Sequence, residues 1–415
     1  MPPHSGLDFP DVDLTDAFCG GGGSSEGARE AGVRVRVALN HWPLAIKVHS
    51  VNHPDAAHDC ADLSQVDPRR YPTTVMAWFS PSCTNHTIAR GRRRHVDATL
   101  DLFGEVLPDA AADRSRATMW DVVRFSEYHR YRIVLVENVV DVREWILWPA
   151  WIAAMVALGY RFKVVCLNSM HAQALGEGAP QSRDRLYVVF WREGDRAPDI
   201  DKWTRPRAHC PRCDRTVRAV QAWKNPDRPY GRYRQQYLWR CPTTRCHTEL
   251  TPAVRPAADV IDRSRPATRI GDRARPLAEA TMRHIRDGLA AHARPTDSGG
   301  LTVPDLVLPY YGNTSVRPVD EPLPTVTTVD RHALLLGGEV RGVEDLRFRM
   351  LTPGEYAAAM AFPDTYRWQG TKRERVRMAG NAVTPPAARD LVAMAVEALT
   401  GQCIEPRRSD LTTAA

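Results

Sequence analysis

Two short runs carry groups able to do covalent chemistry. The apolar stretch TVMAWFS leads into Pro81-Ser82-Cys83, and RIVLVEN ends in Glu137-Asn138 with Val139 following. A thiol at the C-terminal end of a strand is a nucleophile once its thiolate is stabilised, although most single cysteines are small core residues. A carboxylate closing an apolar run is costly unless it is exposed or used. Two strand ends thus point a thiol and a carboxylic acid into one cleft. A third feature, DAFCGGGGSSEGA from Asp16 to Ala28, follows a strand candidate and runs into a helix. Its glycines let backbone approach a bound nucleotide closely, or make a flexible loop. The next strand candidate, VRVALN, ends about twenty residues on, where nucleotide folds put a ribose-binding group. There stand Asn40, His41 and Trp42, and Trp42 is a stacking platform for adenine or a core tryptophan.

A separate cluster has metal-ligand spacing. Cys210 and Cys213 are two residues apart and Cys241 and Cys246 four apart, within HCPRC…RCPTTRCH. Each pair can sit on a knuckle turn, and four thiolates close a tetrahedral zinc site, with His209 or His247 as substitutes. The same segment is basic. From Lys202 to Leu250 twelve Lys/Arg face three Asp/Glu, a net of +9 that exceeds the +7 of the whole chain. Among its arginines, including Arg232 and Arg234, lie Trp223, Tyr230, Tyr233, Tyr237 and Trp239, a composition suited to nucleic acid. A purely structural staple is the plainer reading. Cysteines in such pairs point to metal in a reducing compartment and not to disulfides.

The elements that must position these groups follow from pattern. VDLTDAF, VRVALN, TVMAWFS, RIVLVEN, FKVVCLN and RLYVVFW read as strands. Helices are expected at 25–31, 43–51, 119–128 and 148–158, the βαβ rhythm of a doubly wound, mostly parallel sheet. Residues 87–116 interrupt it with IARGRRRHVD and a Pro/Ala/Asp stretch, expected as a mobile loop. After Trp191 proline, arginine and turn residues dominate to about Asp345, with one long helix expected at 276–290. Helical patterning returns in TPGEYAAAMAF and in PPAARDLVAMAVEALT, where Pro385 and Pro386 suit a helix start. The expected organisation is one α/β domain from 1–191 and 346–405, an irregular domain at 192–345 with a zinc ribbon at 205–250, and a frayed tail at 406–415. The 415 residues are enough for two domains, and 43% hydrophobic with 25% charged residues argues against disorder along the whole chain. No apolar run reaches the roughly 20 residues of a membrane span, and MPPHSGLDFPD lacks the order of a signal peptide. The expectation is a soluble intracellular protein.

These residues resemble the cytosine-5 DNA methyltransferase family, which uses S-adenosylmethionine. Asp16 to Gly23 is similar to its cofactor loop, Ala61-Asp62-Leu63 to its adenine-binding turn, and Ser80-Pro81-Ser82-Cys83 to its nucleophile motif. Ser115-Arg116-Ala117-Thr118 matches the start of the following helix, Glu137-Asn138-Val139 the acid motif, and Gln181-Ser182-Arg183-Asp184-Arg185 the glutamine/arginine motif. Arg349-Met350-Leu351-Thr352 with Phe362-Pro363, and Gly380-Asn381-Ala382-Val383 with Pro385, resemble the two closing motifs. The order and spacing of all eight carry the resemblance, which spans nearly the whole chain.

The resemblance implies a doubly wound, Rossmann-like methyltransferase domain and a target-recognition domain. It implies Cys83 as nucleophile on C6 of an extruded cytosine, Glu137 as donor to N3, Arg183 holding O2, and Arg185 beside them. Phe18, Gly20, Gly22, Gly23, His41, Trp42, Asp62, Leu63, Pro81, Asn381, Ala382 and Val383 are the implied cofactor contacts. Arg90, Arg92, Arg93 and Arg94, or a merely solvated basic loop, would meet phosphates, as would Arg232 and Arg234. The implied partner is double-stranded DNA, with room for a cognate restriction endonuclease. The setting would be a monomer in the cytoplasm of a bacterium or of a phage's host, acting on its nucleoid. The chain departs from the family at Ser82, where proline is usual, at Thr84, where glutamine is frequent, and at His41, where an acidic residue is usual. Two alternatives stay open: a branch acting on transfer RNA, and a DNA-binding protein with degenerate catalysis.

Overall fold

The first part of the chain forms β1 (Asp13–Ala17), α1 (Gly23–Glu30), β2 (Arg34–Asn40), α2 (Pro43–Asn52), β3 (Ala57–Cys60), β4 (Met76–Phe79), α3 (Ala110–His129), β5 (Ile133–Asn138), α4 (Trp148–Ala157), β6 (Tyr160–Asn168) and β7 (Asp184–Arg192). The structure, a computed structural model, describes residues 7–82, 110–310 and 315–406, and of residues 110–117 the backbone alone. Cys83, Arg90, Arg92, Arg93 and Arg94 therefore lie outside the described residues, as does most of the expected loop at 87–116. The end of that expected loop is helix, because α3 begins at Ala110 and not near Met119.

The seven strands make one sheet in the order β3-β2-β1-β4-β5-β7-β6. The pairs among β3, β2, β1, β4 and β5 are parallel, whereas β7 runs antiparallel to both β5 and β6, so the sheet is mixed. β4 and β5 are buried along their whole length, as strands with both faces covered must be. One face packs Leu14, Trp78, Ile133 and Leu135 against Ala28 of α1 and Leu391, Val392 and Val396 from the C-terminal helix. The other packs Phe79, Val134 and Val136 against Met119, Val122 and Phe125 of α3 and Trp151, Ile152 and Met155 of α4. Gly27 lets α1 and the C-terminal helix touch: a Cβ there would lie 2.5 Å from the Ala388 Cβ and the Pro385 carbonyl oxygen.

Beyond α5 (Ile200–Thr204) the elements shorten to β8 (Arg207–Cys210), β9 (Arg215–Arg218), β10 (Val220–Trp223), β11 (Tyr237–Arg240), β12 (Glu249–Leu250) and β13 (Thr268–Arg269). There follow α6 (Glu279–His292), β14 (Arg294–Pro295), β15 (Leu301–Val303), β16 (Leu306–Pro309), β17 (Arg317–Pro318), β18 (His332–Leu336), β19 (Gly338–Val340) and β20 (Arg347–Met350). This region is a set of small sheets, the largest in the order β13-β20-β18-β16-β17. Its last member, β20, extends the region past residue 345, where the sequence reading drew the boundary. The chain then returns through α7 (Pro353–Ala359), α8 (Lys372–Asn381) and α9 (Pro385–Thr400), and α9 is buried from Pro385 to Ala398. Among the described residues no helix is long and apolar enough to cross a membrane.

Candidate active site

The loop after β1 is built by short backbone constraints. Phe18 takes a φ of 61° and Gly20 and Gly22 take 52° and 89°, a tight turn that ends in the N-cap of α1. Beneath it Ser24 and Ser25 each donate to Oδ2 of the buried Asp16 at 2.6 Å. Burial raises the Asp16 carboxyl to about 6 against the two serine bonds. Ser25 in turn stands 2.9 Å from His49 Nε2, and His49 Nδ1 stands 2.8 Å from His58 Nε2. Since the Ser25 hydroxyl donates to Asp16, His49 donates to Ser25 and accepts from His58. The loop's outer side is pinned by Tyr366, whose hydroxyl donates to the Gly21 carbonyl at 2.5 Å.

Three further segments converge on this loop. Trp42 caps the entry to α2, half-buried, with the guanidinium of Arg377 5.0 Å from its ring centroid. His41 beside it is exposed. Asp62 spends Oδ1 on the backbone and hydroxyl of Ser64, and Leu63 is buried. Ala382 and Val383 are buried and Asn381 is exposed at the end of α8. The Val383 carbonyl approaches Gly23 so closely that a Cβ there would lie 1.9 Å from it. At Gly20, in contrast, a Cβ would meet only the Phe18 carbonyl, at 3.9 Å. The loop is thus tight toward the protein at Gly23 and open at Gly20, with an aromatic platform nearby, which fits a nucleoside-bearing cofactor.

The ends of β4 and β5 form the second half of the site. Ser80 N–H bonds the Ala17 carbonyl, Asn138 Nδ2 donates to the Pro81 carbonyl at 3.2 Å, and Ser82 N–H donates to Thr118 Oγ1 at 3.1 Å. The backbone leading to Cys83 is therefore held from three elements. Glu137, 8% exposed, has Oε1 2.8 Å from Nε of Arg185. Burial raises its carboxyl, and Arg185 and Arg183 oppose that rise.

Arg183 is held in the wall beside this pair. It is 1% exposed, and its guanidinium donates to the carbonyls of Val326, Gly380 and Ala382 at 2.9, 2.8 and 3.2 Å. These bonds tie β7 to α8 and the 326 segment; the Arg183 charge still acts on Glu137, while Arg185 is the guanidinium in direct contact with it. Gln181 does similar work, accepting from Val326 N–H and donating to the Ala359 carbonyl. The motif quoted in the sequence thus divides into residues that build the wall and one arginine that faces the acid.

The four paired cysteines do meet. The Sγ atoms of Cys210, Cys213, Cys241 and Cys246 all lie within 4.8 Å of one another, and all four thiols are free. Thr248 lowers the Cys246 thiol and Thr243 the Cys241 thiol by hydrogen bonding, which favours the ligand form. The donor set suits zinc. From this knuckle Trp239 donates to His171 Nδ1 at 3.1 Å, joining the insert to the end of β6.

The insert's arginines are placed differently from a freely solvated DNA-contacting face. Arg232 Nη2 lies 2.8 and 2.7 Å from the two carboxylate oxygens of Asp141, just beyond the Glu137 strand end. Arg234, at a φ of 64°, lies over Tyr233. Both line a cavity of about 640 Å³ with Val139, Asp141, Arg185 and Asp184. Asp141, Asn138 and Thr118 were given no role from sequence; an acid four residues past Glu137 was the available signal for the first.

These features define an α/β methyltransferase-type fold with a buried acid–arginine pair at the strand ends. A solved structure of a Spodoptera frugiperda DNMT2 variant superposes with a TM-score of 0.54 at 14% identity, covering 94% of this chain and 99% of that one, which speaks for the fold alone. The chain belongs to the C-5 cytosine-specific DNA methylase family, whose model matches residues 12–396. It is 31% identical over 193 residues to the type II methyltransferase M.AgeI of Thalassovita gelatinovora, 44% of this chain and 40% of that protein. It is 37% identical over 99 residues to the DNA (cytosine-5)-methyltransferase CMT2 of Oryza sativa subsp. japonica, 23% of this chain and 7% of that one. The matches thus span well under half the length of these curated relatives.

Proposed function

We propose that this protein methylates C5 of cytosine in a specific duplex DNA sequence, using S-adenosylmethionine, base flipping and a covalent step through Cys83. The observation that carries the reading is the buried Glu137 in contact with Arg185, beside backbone pinned just before Cys83. Cytosine C6 accepts a thiolate only if ring charge is neutralised where it develops. Glu137, whose carboxyl burial pushes up, donates to N3 in its protonated form, while Arg185 offers a remaining guanidinium N–H to the neighbouring O2. C5 becomes nucleophilic and takes the methyl group; loss of the C5 proton then re-forms the C5–C6 double bond and expels the Cys83 sulfur as thiolate, while N3 returns its proton to Glu137.

When bound, S-adenosylmethionine supplies the electrophilic methyl group. Phe18, Gly20, Gly22, Gly23, His41, Trp42, Asp62, Leu63, Pro81, Asn381, Ala382 and Val383 would hold it, with Trp42 stacking and the loop at Gly20 open to it. The base must leave the stack to be reached, because C5 and C6 are covered in a duplex. Arg90, Arg92, Arg93 and Arg94 would close on backbone phosphates, and Arg234 would meet DNA from the insert. Zinc held by the four cysteines would staple the insert as a ribbon. The basic insert favours DNA over the RNA-directed alternative.

Bisulfite sequencing of DNA from cells expressing the protein tests this reading and maps the site together. Protected cytosines at one recurrent sequence are expected. Uniform conversion, with methylated transfer RNA instead, would move the protein to the RNA branch.

A further inference from the structure

The basic insert does more than flank the cleft. Its segment 228–233 is held against the catalytic sheet and the 140–144 turn that follows β5 by six contacts. Arg228 and the Tyr230 hydroxyl both reach Glu144 Oε1, at 2.5 and 2.6 Å. Arg143 stands 5.2 Å from the ring centroids of both Trp148 and Tyr230. Gly231 N–H points at Cys166 Sγ on β6, and Tyr233 N–H donates to Asp184 Oδ1 at the start of β7. Between these anchors, Arg232 is presented to Asp141.

Both oxygens of Asp141 engage one nitrogen, Nη2. Among the described residues no other acceptor takes Nη1 or Nε of Arg232. The guanidinium therefore keeps donors for a ligand, and it lines the same cavity as Arg185, the partner of Glu137. A guanidinium already neutralised by a carboxylate adds little long-range attraction for a duplex, since the pair is a dipole and not a net charge. It is instead pre-oriented for an anion that enters the cavity, which is what pairing of this kind does well. The cavity's other carboxylates, Asp184, Asp320 and Glu321, make it no general sink for phosphate, so the placement of each donor matters.

We propose that Arg232, delivered by the cysteine-anchored insert and oriented by Asp141, binds a backbone phosphate of the extruded nucleotide and positions it for reaction. This rests on the function proposed above and gives the insert a part in the target pocket. Removing Arg232 then slows the covalent step at saturating DNA, because the flipped state is less populated, while the intact duplex binds as before.

The test uses the full-length protein with S-adenosylmethionine and duplex DNA carrying 5-fluorocytosine at the mapped site, which traps the covalent adduct. Unchanged S-adenosylmethionine affinity certifies that each variant is folded. With Arg232→Met, adduct formation at saturating DNA should slow about tenfold, the low end for a lost charge-assisted bond, with duplex Kd and its salt slope nearly unchanged. Asp141→Asn should slow it less, and the double variant no more than Arg232→Met, since both act on one contact. Arg232→Lys, retaining charge without the fork, should fall between. A rate equal to wild type in Arg232→Met overturns the proposal. So does a duplex Kd that weakens as much as the rate, with a flatter salt slope, which would make Arg232 a contact to stacked DNA. Wild-type protein that forms no adduct at a site it methylates would instead refute the covalent mechanism on which the proposal rests.

Discussion

The Nε of Arg185 lies 2.8 Å from Oε1 of Glu137, and the pair sits where β5 ends and the antiparallel β7 begins. Burial pushes the Glu137 carboxyl up and Arg185 is the largest force holding it down. The acid donates only when protonated, so the rate of adduct formation should fall as pH rises through its pKa. Arg185→Gln removes the opposing cation. The maximal rate should drop while the alkaline limb moves to higher pH, read by single-turnover trapping on 5-fluorocytosine DNA. A limb that stays in place would mean that another group sets it.

The cysteine cluster makes a prediction independent of catalysis. Four thiols within 4.8 Å of one another should hold about one equivalent of zinc in purified protein. Cys213→Ser should release it and lower thermal stability, while S-adenosylmethionine affinity stays near wild type because the cofactor loop is built from α1, α2 and α8. Metal analysis with binding calorimetry reads both. Metal-free protein of full stability would end the assignment.

What was legible in the sequence depended on who a residue's partner is. Strands buried on both faces, such as IVLVEN, announce themselves through composition, and so does α9 with its prolines. Ala57–Cys60 was missed because this edge strand is partly exposed and lacks an apolar run. Helix α8 was missed because only Val376, Met378, Ala379 and Gly380 are buried, and its start is held by the reciprocal Thr371 and Glu374 cap. Among site residues, Arg183 and Arg185 look equivalent in a motif. Only the carbonyls of Val326, Gly380 and Ala382, more than 140 positions away, separate the wall-building arginine from the one that faces the acid. Arg232 is similar: its charge is readable, its partner Asp141 is 91 positions distant.

His171 joins the insert to the sheet and should report its integrity through pH. It is buried and receives the Trp239 indole N–H, and burial, with Arg234 adding to it, lowers its pKa to about 3. In the unfolded chain a histidine takes up its proton near 6.5. The folded state resists that proton, so the stability it contributes is present above pH 6.5 and is lost as pH falls toward 3. His171→Asn keeps an acceptor for Trp239 and does not titrate. The stability gap between wild type and variant should narrow by roughly 2 kcal/mol from pH 7 to pH 5 in urea unfolding. A constant gap would mean that the folded protein protonates His171 without cost.

The last prediction concerns the cofactor's ribose. His41 follows β2, exposed, next to Trp42, at the position where the resembled family carries an acid. A neutral imidazole accepts one hydrogen bond, whereas a carboxylate accepts two and makes them charge-assisted. S-adenosylmethionine carries a sulfonium, which an added negative charge also favours through the solvent. His41→Glu should therefore tighten its binding by on the order of 1 kcal/mol, about fivefold in Kd. S-adenosylhomocysteine has the same ribose without the sulfonium charge, so most of the gain should persist with it if the hydroxyl bonds are the cause. Calorimetry with both ligands separates the two contributions. A gain confined to S-adenosylmethionine would assign the effect to charge alone, and weaker binding of both would mean that the site is built around the imidazole.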